Sequence, residues 1–157
     1  MMQIKIDEDL ILLGLKGKEK EEILSQMADK LFQCGYVKDS YKNAVIAREK
    51  IFATGLPTAS YGVAIPHTDI VHVNEPTICL ARFDQAVDFV IMGEETETIS
   101  VKLAFMMAMK EQHAQLGVLQ KLMAILQDQT ALAYLAEEQN KRKIKAFMLA
   151  KLGIEEK

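Results

Sequence analysis

The sequence predicts a single α/β domain. Three observations carry that expectation. The 157 residues are 50% hydrophobic, enough for one compact core and short for two. Apolar residues recur at helical spacing between 18 and 33 and again between 111 and 127. Between these windows Val101 to Met109 is apolar except for Lys102, the pattern of a central strand covered on both faces.

Taken in order, Gln3 to Ile6 suggest a short edge strand, followed by acidic residues and the apolar Leu10 to Leu13. From Lys18 to Gln33, Ile23, Leu24, Met27, Ala28 and Leu31 form one helical face, and Gly35 is a stop signal. Asp39 is the expected N-cap of a second helix reaching Ile51, with Tyr41, Ala44, Val45, Arg48 and Phe52 predicted on one face. Arg48 then falls on an apolar stripe, so either its guanidinium snorkels outward or an anionic partner comes to it.

The segment Ala53 to Tyr61, with Thr54-Gly55, Pro57 and Ser60, reads as a loop lining a site. It leads into Gly62-Val63-Ala64-Ile65-Pro66-His67-Thr68-Asp69, where Val63, Ala64 and Ile65 read as the end of a buried strand. Pro66 fixes its own φ and drives Ile65 away from helical geometry, so His67 stands at a stiff strand end. A histidine there is partly neutral and nucleophilic near pH 7, at the edge where α/β folds place their chemistry. Asp69 to Val73 is too short to assign to an element. Thr77 to Phe83 and Ala86 to Ile91 have the composition of strands, and 93–98 is a polar loop. A helix follows Met109, and two more follow Thr130, with Ile144, Phe147, Met148 and Leu152 on the last apolar face. The cluster Lys141-Arg142-Lys143 with Lys145 reads as a solvated helix face.

Several function classes lose ground at once. A net charge of −3 disfavours a nucleic-acid binder. No secretory leader and no apolar run of about 18 residues is present, so a cytosolic protein is expected. Cys34 and Cys79 fall in no metal or disulfide pattern and are expected to be reduced and mostly buried.

His113 occupies the opening turn of the helix that follows the central strand, the same kind of place as His67. If the two strands are neighbours, two imidazoles, the N–H groups of a helix start and Arg48 meet at one sheet edge. That set describes an anion site and suits phosphoryl transfer, which is mostly positioning and charge stabilisation. A metal site made from His67, Asp69, His72 and His113 is the competing reading from another class, and a pure interaction module is a third.

Four motifs then resemble one family. Ala47-Arg48-Glu49, Thr54-Gly55-Leu56, Val63-Ala64-Ile65-Pro66-His67 and His113-x-x-Leu116-x-x-Leu119 are similar, over essentially the whole chain, to the IIA component of the bacterial sugar phosphotransferase system, fructose/mannitol type. The resemblance implies a mixed parallel/antiparallel β-sheet flanked by α-helices and a phosphotransferase that works through a phosphohistidine. It makes His67 the phosphorylated residue, His113 the second active-site histidine and Arg48 the phosphoryl-positioning arginine, with Thr54, Gly55 and Thr68 lining the site. It implies phosphorylation by the phosphocarrier protein HPr, transfer to a cysteine of a IIB partner, indirect membrane contact through IIC, and no cofactor. Thr54-Gly55-Leu56, His67-Thr68-Asp69 with His72-Val73, and Phe89-x-x-Met92-Gly93 look most like the galactitol subgroup, although Ala53 stands where that subgroup often has proline. A nitrogen-type regulatory carrier with the same histidine is the alternative within the family.

Overall fold

The computed structural model describes residues 4–110 and 112–154, the side chains of 112–116 excepted. Five strands form one sheet in the order β1-β4-β5-β3-β2. These are β1 Ile11–Leu15, β2 Gly55–Leu56, β3 Gly62–Ala64, β4 Thr77–Val90 and β5 Thr98–Ala108. β4 and β5 pair as a long antiparallel hairpin, while β1 joins β4 and β3 joins β5 in parallel, and β2 closes the far edge antiparallel to β3. The helices are α1 Lys20–Gln33, α2 Ser40–Ile51, α3 Gln112–Leu126, α4 Gln129–Glu137 and α5 Lys141–Leu152. A mixed sheet with a helical layer on each face is the predicted α/β class.

The alternation along β5 explains the two layers. Leu103, Phe105 and Met107 join the core cluster that includes Leu122, Ile125, Leu132, Leu135, Ile144 and Met148 from α3, α4 and α5. Ala104, Met106 and Ala108 join the opposite cluster, with Ile23, Leu24, Met27 and Leu31 of α1 and Tyr41 and Val45 of α2. Successive strand residues point to opposite faces, so a strand apolar at both parities must be covered twice. Phe105 and Met106 are both fully buried, each contributing about 1.5–3 kcal/mol by leaving water.

Several expectations change. The N-terminal strand is Ile11–Leu15 and not Gln3 to Ile6; Lys5 makes an isolated bridge to Thr77, and Gln3 lies outside the described residues. The two predicted strands 77–83 and 86–91 form one strand that ends at Val90, because the polar interruption at Asp84-Gln85 is an irregularity between Arg82 and Val87, after which pairing resumes on β5. The loop Ala53 to Tyr61 contributes β2. Asp39 precedes α2, but its side chain makes no cap hydrogen bond. Gly35 has φ +84 and ends α1 as predicted, since a left-handed residue there favours glycine.

The buried face of α2 is rotated from the predicted one. Tyr41, Val45 and Glu49 are buried, Arg48 is half-buried, and Phe52 is 58% exposed. Phe52 lies past the helix end and turns outward, with the Arg48 guanidinium 4.8 Å from its ring centroid. The Tyr41 hydroxyl donates to Met107 O of β5 at 2.6 Å, fixing the helix to the central strand. Cys79 is fully buried and Cys34 half-buried, and burial pushes both thiols above their ordinary range.

Candidate functional site at the end of β3

β3 delivers His67 to one end of the sheet beside β5. Val63, Ala64, Ile65 and Pro66 are all buried. Pro66 lacks an N–H, but its carbonyl accepts from Met107 N–H at 2.9 Å, and His67 bridges Met107 in parallel register. The residue therefore sits on the ladder of the central strand.

The ring is held by its own segment. His67 Nδ1 is 2.9 Å from Ile65 O. A carbonyl oxygen can only accept, so Nδ1 carries the proton, and in the neutral ring Nε2 carries the lone pair. Among the described residues nothing hydrogen-bonds Nε2. Burial lowers the imidazole pKa below its ordinary 6.5; the Ile65 carbonyl opposes this, and the nearby Arg48 charge lowers it further. The neutral, nucleophilic form is thus favoured.

Arg48 brings a cation to the same place. Its Nε is buried and has no hydrogen-bond partner among the described residues. A buried donor left unpaired costs about 1–3 kcal/mol, which an incoming anion would relieve. A neutral imidazole within electrostatic reach of a guanidinium has the chemistry to accept a phosphoryl group and stabilise its charge.

The remaining predicted residues are placed as follows. Gly55 is buried in β2, where its carbonyl accepts from Met92 N–H at 2.8 Å, and an added Cβ would lie 2.6 Å from Val90 O. Thr54 is buried, and both of its donors are turned to Glu49: N–H to Oε2 at 2.7 Å and Oγ1 to Oε1 at 2.8 Å. Its hydroxyl is therefore not presented to the imidazole. Thr68 is half-buried next to His67. His113 is in the first turn of α3, which opens shortly after β5, and its side chain lies outside the described residues. Glu49 is the residue whose role the motif reading missed; its spacing of four from Val45 and eight from Tyr41 was the available signal.

Among the described residues the metal reading finds no support at this edge, and the His113 side chain lies outside them. His72 Nδ1 is 2.8 Å from Ser40 Oγ. Among the described residues the ligand atoms close enough to share an ion belong to Asp7, Asp9 and Cys34, not to His67, Asp69 and His72. A cleft of about 440 Å³ lies elsewhere, bordered by Tyr61, Arg82, Lys102 and Gln139. Its arginine is committed to capping α4, donating to Leu135 O and Glu138 O at 2.9 Å each. Among the described residues no helix is long and apolar enough to cross a membrane.

Comparison with known proteins agrees with this fold. Residues 5–151 match the family model for the phosphoenolpyruvate-dependent sugar phosphotransferase system, EIIA 2. The galactitol-specific EIIA component of Escherichia coli strain K12 is 28% identical over 114 residues, 73% of this chain and 75% of that protein. The crystal structure of IIA mannitol from Escherichia coli superposes with a TM-score of 0.75 at 23% identity, covering 92% of this chain and 99% of that one. The Escherichia coli mannitol IIA in complex with phosphorylated IIB gives 0.74 at 24% identity, covering 96% and 98%. The fold, the histidine-bearing strand end and the matched length lead to one conclusion: the chain belongs to the EIIA type 2 family of the sugar phosphotransferase system, phosphotransferase components that pass a phosphoryl group through a histidine.

Proposed function

We propose that the chain takes a phosphoryl group from HPr onto His67 Nε2 and gives it to a cysteine of a IIB component, in the uptake of galactitol or a related polyol. The observation that carries this reading is a lone-pair Nε2, set by the Nδ1 to Ile65 O hydrogen bond, on a ring that feels the charge of Arg48. Phosphoryl transfer needs a nucleophile in line with the phosphorus and a cation for the developing charge. Arg48 supplies the cation. His113, at the opening of α3, supplies a second donor to the phosphoryl oxygens, and losing it slows transfer without abolishing it. Gly55 and Thr68 line the site, and Thr54 serves from behind.

The Escherichia coli mannitol IIA has been solved bound to phosphorylated IIB, which supports a IIB acceptor here, with IIC as the membrane component beyond it. The galactitol-specific relative supports the sugar class and weighs against a purely regulatory, nitrogen-type carrier. This chemistry belongs in the cytosol, where HPr and phosphoenolpyruvate are found.

The test is incubation with Enzyme I, HPr and phosphoenolpyruvate, followed by mapping of an acid-labile phosphoryl group. We expect label on His67 and none on His67→Ala, which should remain folded. Label on His72 or His113 in that variant would sink the assignment. Onward transfer to a galactitol IIB and not to a mannitol or fructose IIB fixes the sugar branch.

A further inference from the structure

Glu49 is 3% exposed, and a carboxylate this deep in a protein needs a reason. Its two oxygens accept from the two donors of Thr54. Thr54 O in turn accepts from Ile65 N–H at 3.4 Å, and Ile65 O accepts from His67 Nδ1–H at 2.9 Å. Hydrogen-bonded contacts thus run without a break from a buried carboxylate on α2 to the ring that carries the reactive nitrogen. Ile65 has no freedom on its other side, because the following residue is Pro66, whose carbonyl is tied to Met107.

We propose that Glu49 is a positioning residue for His67, acting through Thr54 and Ile65 to hold the tautomer that leaves Nε2 free. The proposal rests on the reading of His67 as the phosphoryl acceptor. Adjacent residues of one helix then divide the work: Arg48 faces the incoming anion, and Glu49 fixes the segment that orients the nucleophile. The contact that matters is geometric. A glutamine at this position keeps an oxygen for Thr54 N–H, and its amide N–H₂ can donate to the Thr54 hydroxyl.

The experiment is ¹⁵N NMR of the His67 imidazole at about pH 8, where the ring is neutral, alongside the rate of phosphoryl acceptance from HPr. In the parent we expect one Nδ1–H tautomer. Glu49→Ala removes both hydrogen bonds to Thr54 and should give an averaged tautomer signal and acceptance slowed about tenfold, a loss of orientation comparable to one net hydrogen bond. Glu49→Gln should restore the single tautomer and bring the rate within about threefold of the parent, because geometry is retained. If Glu49→Ala does not fold, Thr54→Val, which keeps the backbone donor and removes the hydroxyl, takes its place with the same readouts and a smaller expected loss. A folded Glu49→Ala or Thr54→Val with the parent's tautomer and rate would overturn the proposal. So would a Glu49→Gln as impaired as Glu49→Ala, since charge and not geometry would then be responsible. The tautomer signal needs no phosphoryl donor, so it separates failure of this proposal from failure of the acceptor assignment, which would appear as an unlabelled parent.

Discussion

Two groups at the strand end have pKa values displaced in opposite senses by the same cause. Burial lowers His67 below 6.5, with Arg48 adding to it, and burial raises Glu49 above 4.5, with the Thr54 hydrogen bonds opposing. For His67 the unfolded chain binds more protons in the window just below 6.5, so stability declines as pH falls through it. On the proposed reading the neutral ring is also the nucleophile, so phosphoryl acceptance should keep its rate to a pH lower than 6.5 before its acidic limb appears. Arg48→Ala should move that limb up only part of the way, because burial is the larger cause; rapid-quench rates from about pH 5 to 8 measure both shifts. A limb at or above 6.5 in the parent would refute the account. For Glu49 the sign reverses: above 4.5 the native state binds more protons than the unfolded one, so its contribution to stability is lost as pH rises. Glu49→Gln carries no such penalty. Its stability relative to the parent, read from urea midpoints, should therefore improve between about pH 4.5 and pH 7.

At the scale of elements, β2 holds the loop beneath the site against the hairpin. Gly55 lies so close to Val90 that a methyl group would meet its carbonyl oxygen at 2.6 Å, and that oxygen is backbone, which has no flexible end to swing away. Gly55→Ala should cost about 1–3 kcal/mol, seen as a lower urea midpoint, and should slow phosphoryl acceptance by displacing Thr54. An unchanged midpoint would mean that β2 yields freely. The sequence announced β5, because an apolar run at both parities has few other uses, and it announced α1, whose stripe is continuous from Ile23 to Leu31. It misaligned α2. Phe52 looks like core by composition and Glu49 like surface, yet the reverse holds, because local donors from Thr54, just past the helix, satisfy the carboxylate and the helix ends at Ile51. The spacing of Glu49 from Val45 and Tyr41 marked the position, but the loop donors that make a carboxylate acceptable there are not visible in a helical pattern. The break in β4 at Asp84-Gln85 was misread for a related reason: polar residues signal a turn unless the partner strand is known to continue.

Across the whole molecule, the two helical layers converge on β5. Tyr41 of α2 bonds Met107 O, Pro66 bonds Met107 N–H, and Met107 itself packs into the cluster with α3, α4 and α5. His67 and Arg48 were legible as candidates because their motif spacing resembles the family's, whereas the buried hydrogen bonds from Glu49 to Thr54 were not. Composition could exclude classes of function but could not locate an edge.

The mounting of His67 on the central ladder has a kinetic consequence. One nitrogen with a lone pair, on a backbone anchored through Pro66 to Met107, cannot swing between a donor on one side and a recipient on the other. If His67 is the acceptor proposed above, both proteins must come to the same atom from the same direction, and so in turn. Steady-state turnover should therefore follow a double-displacement scheme, with parallel lines in reciprocal plots as donor and recipient concentrations are varied. Intersecting lines would require a three-protein assembly around a nitrogen that has room for one visitor at a time.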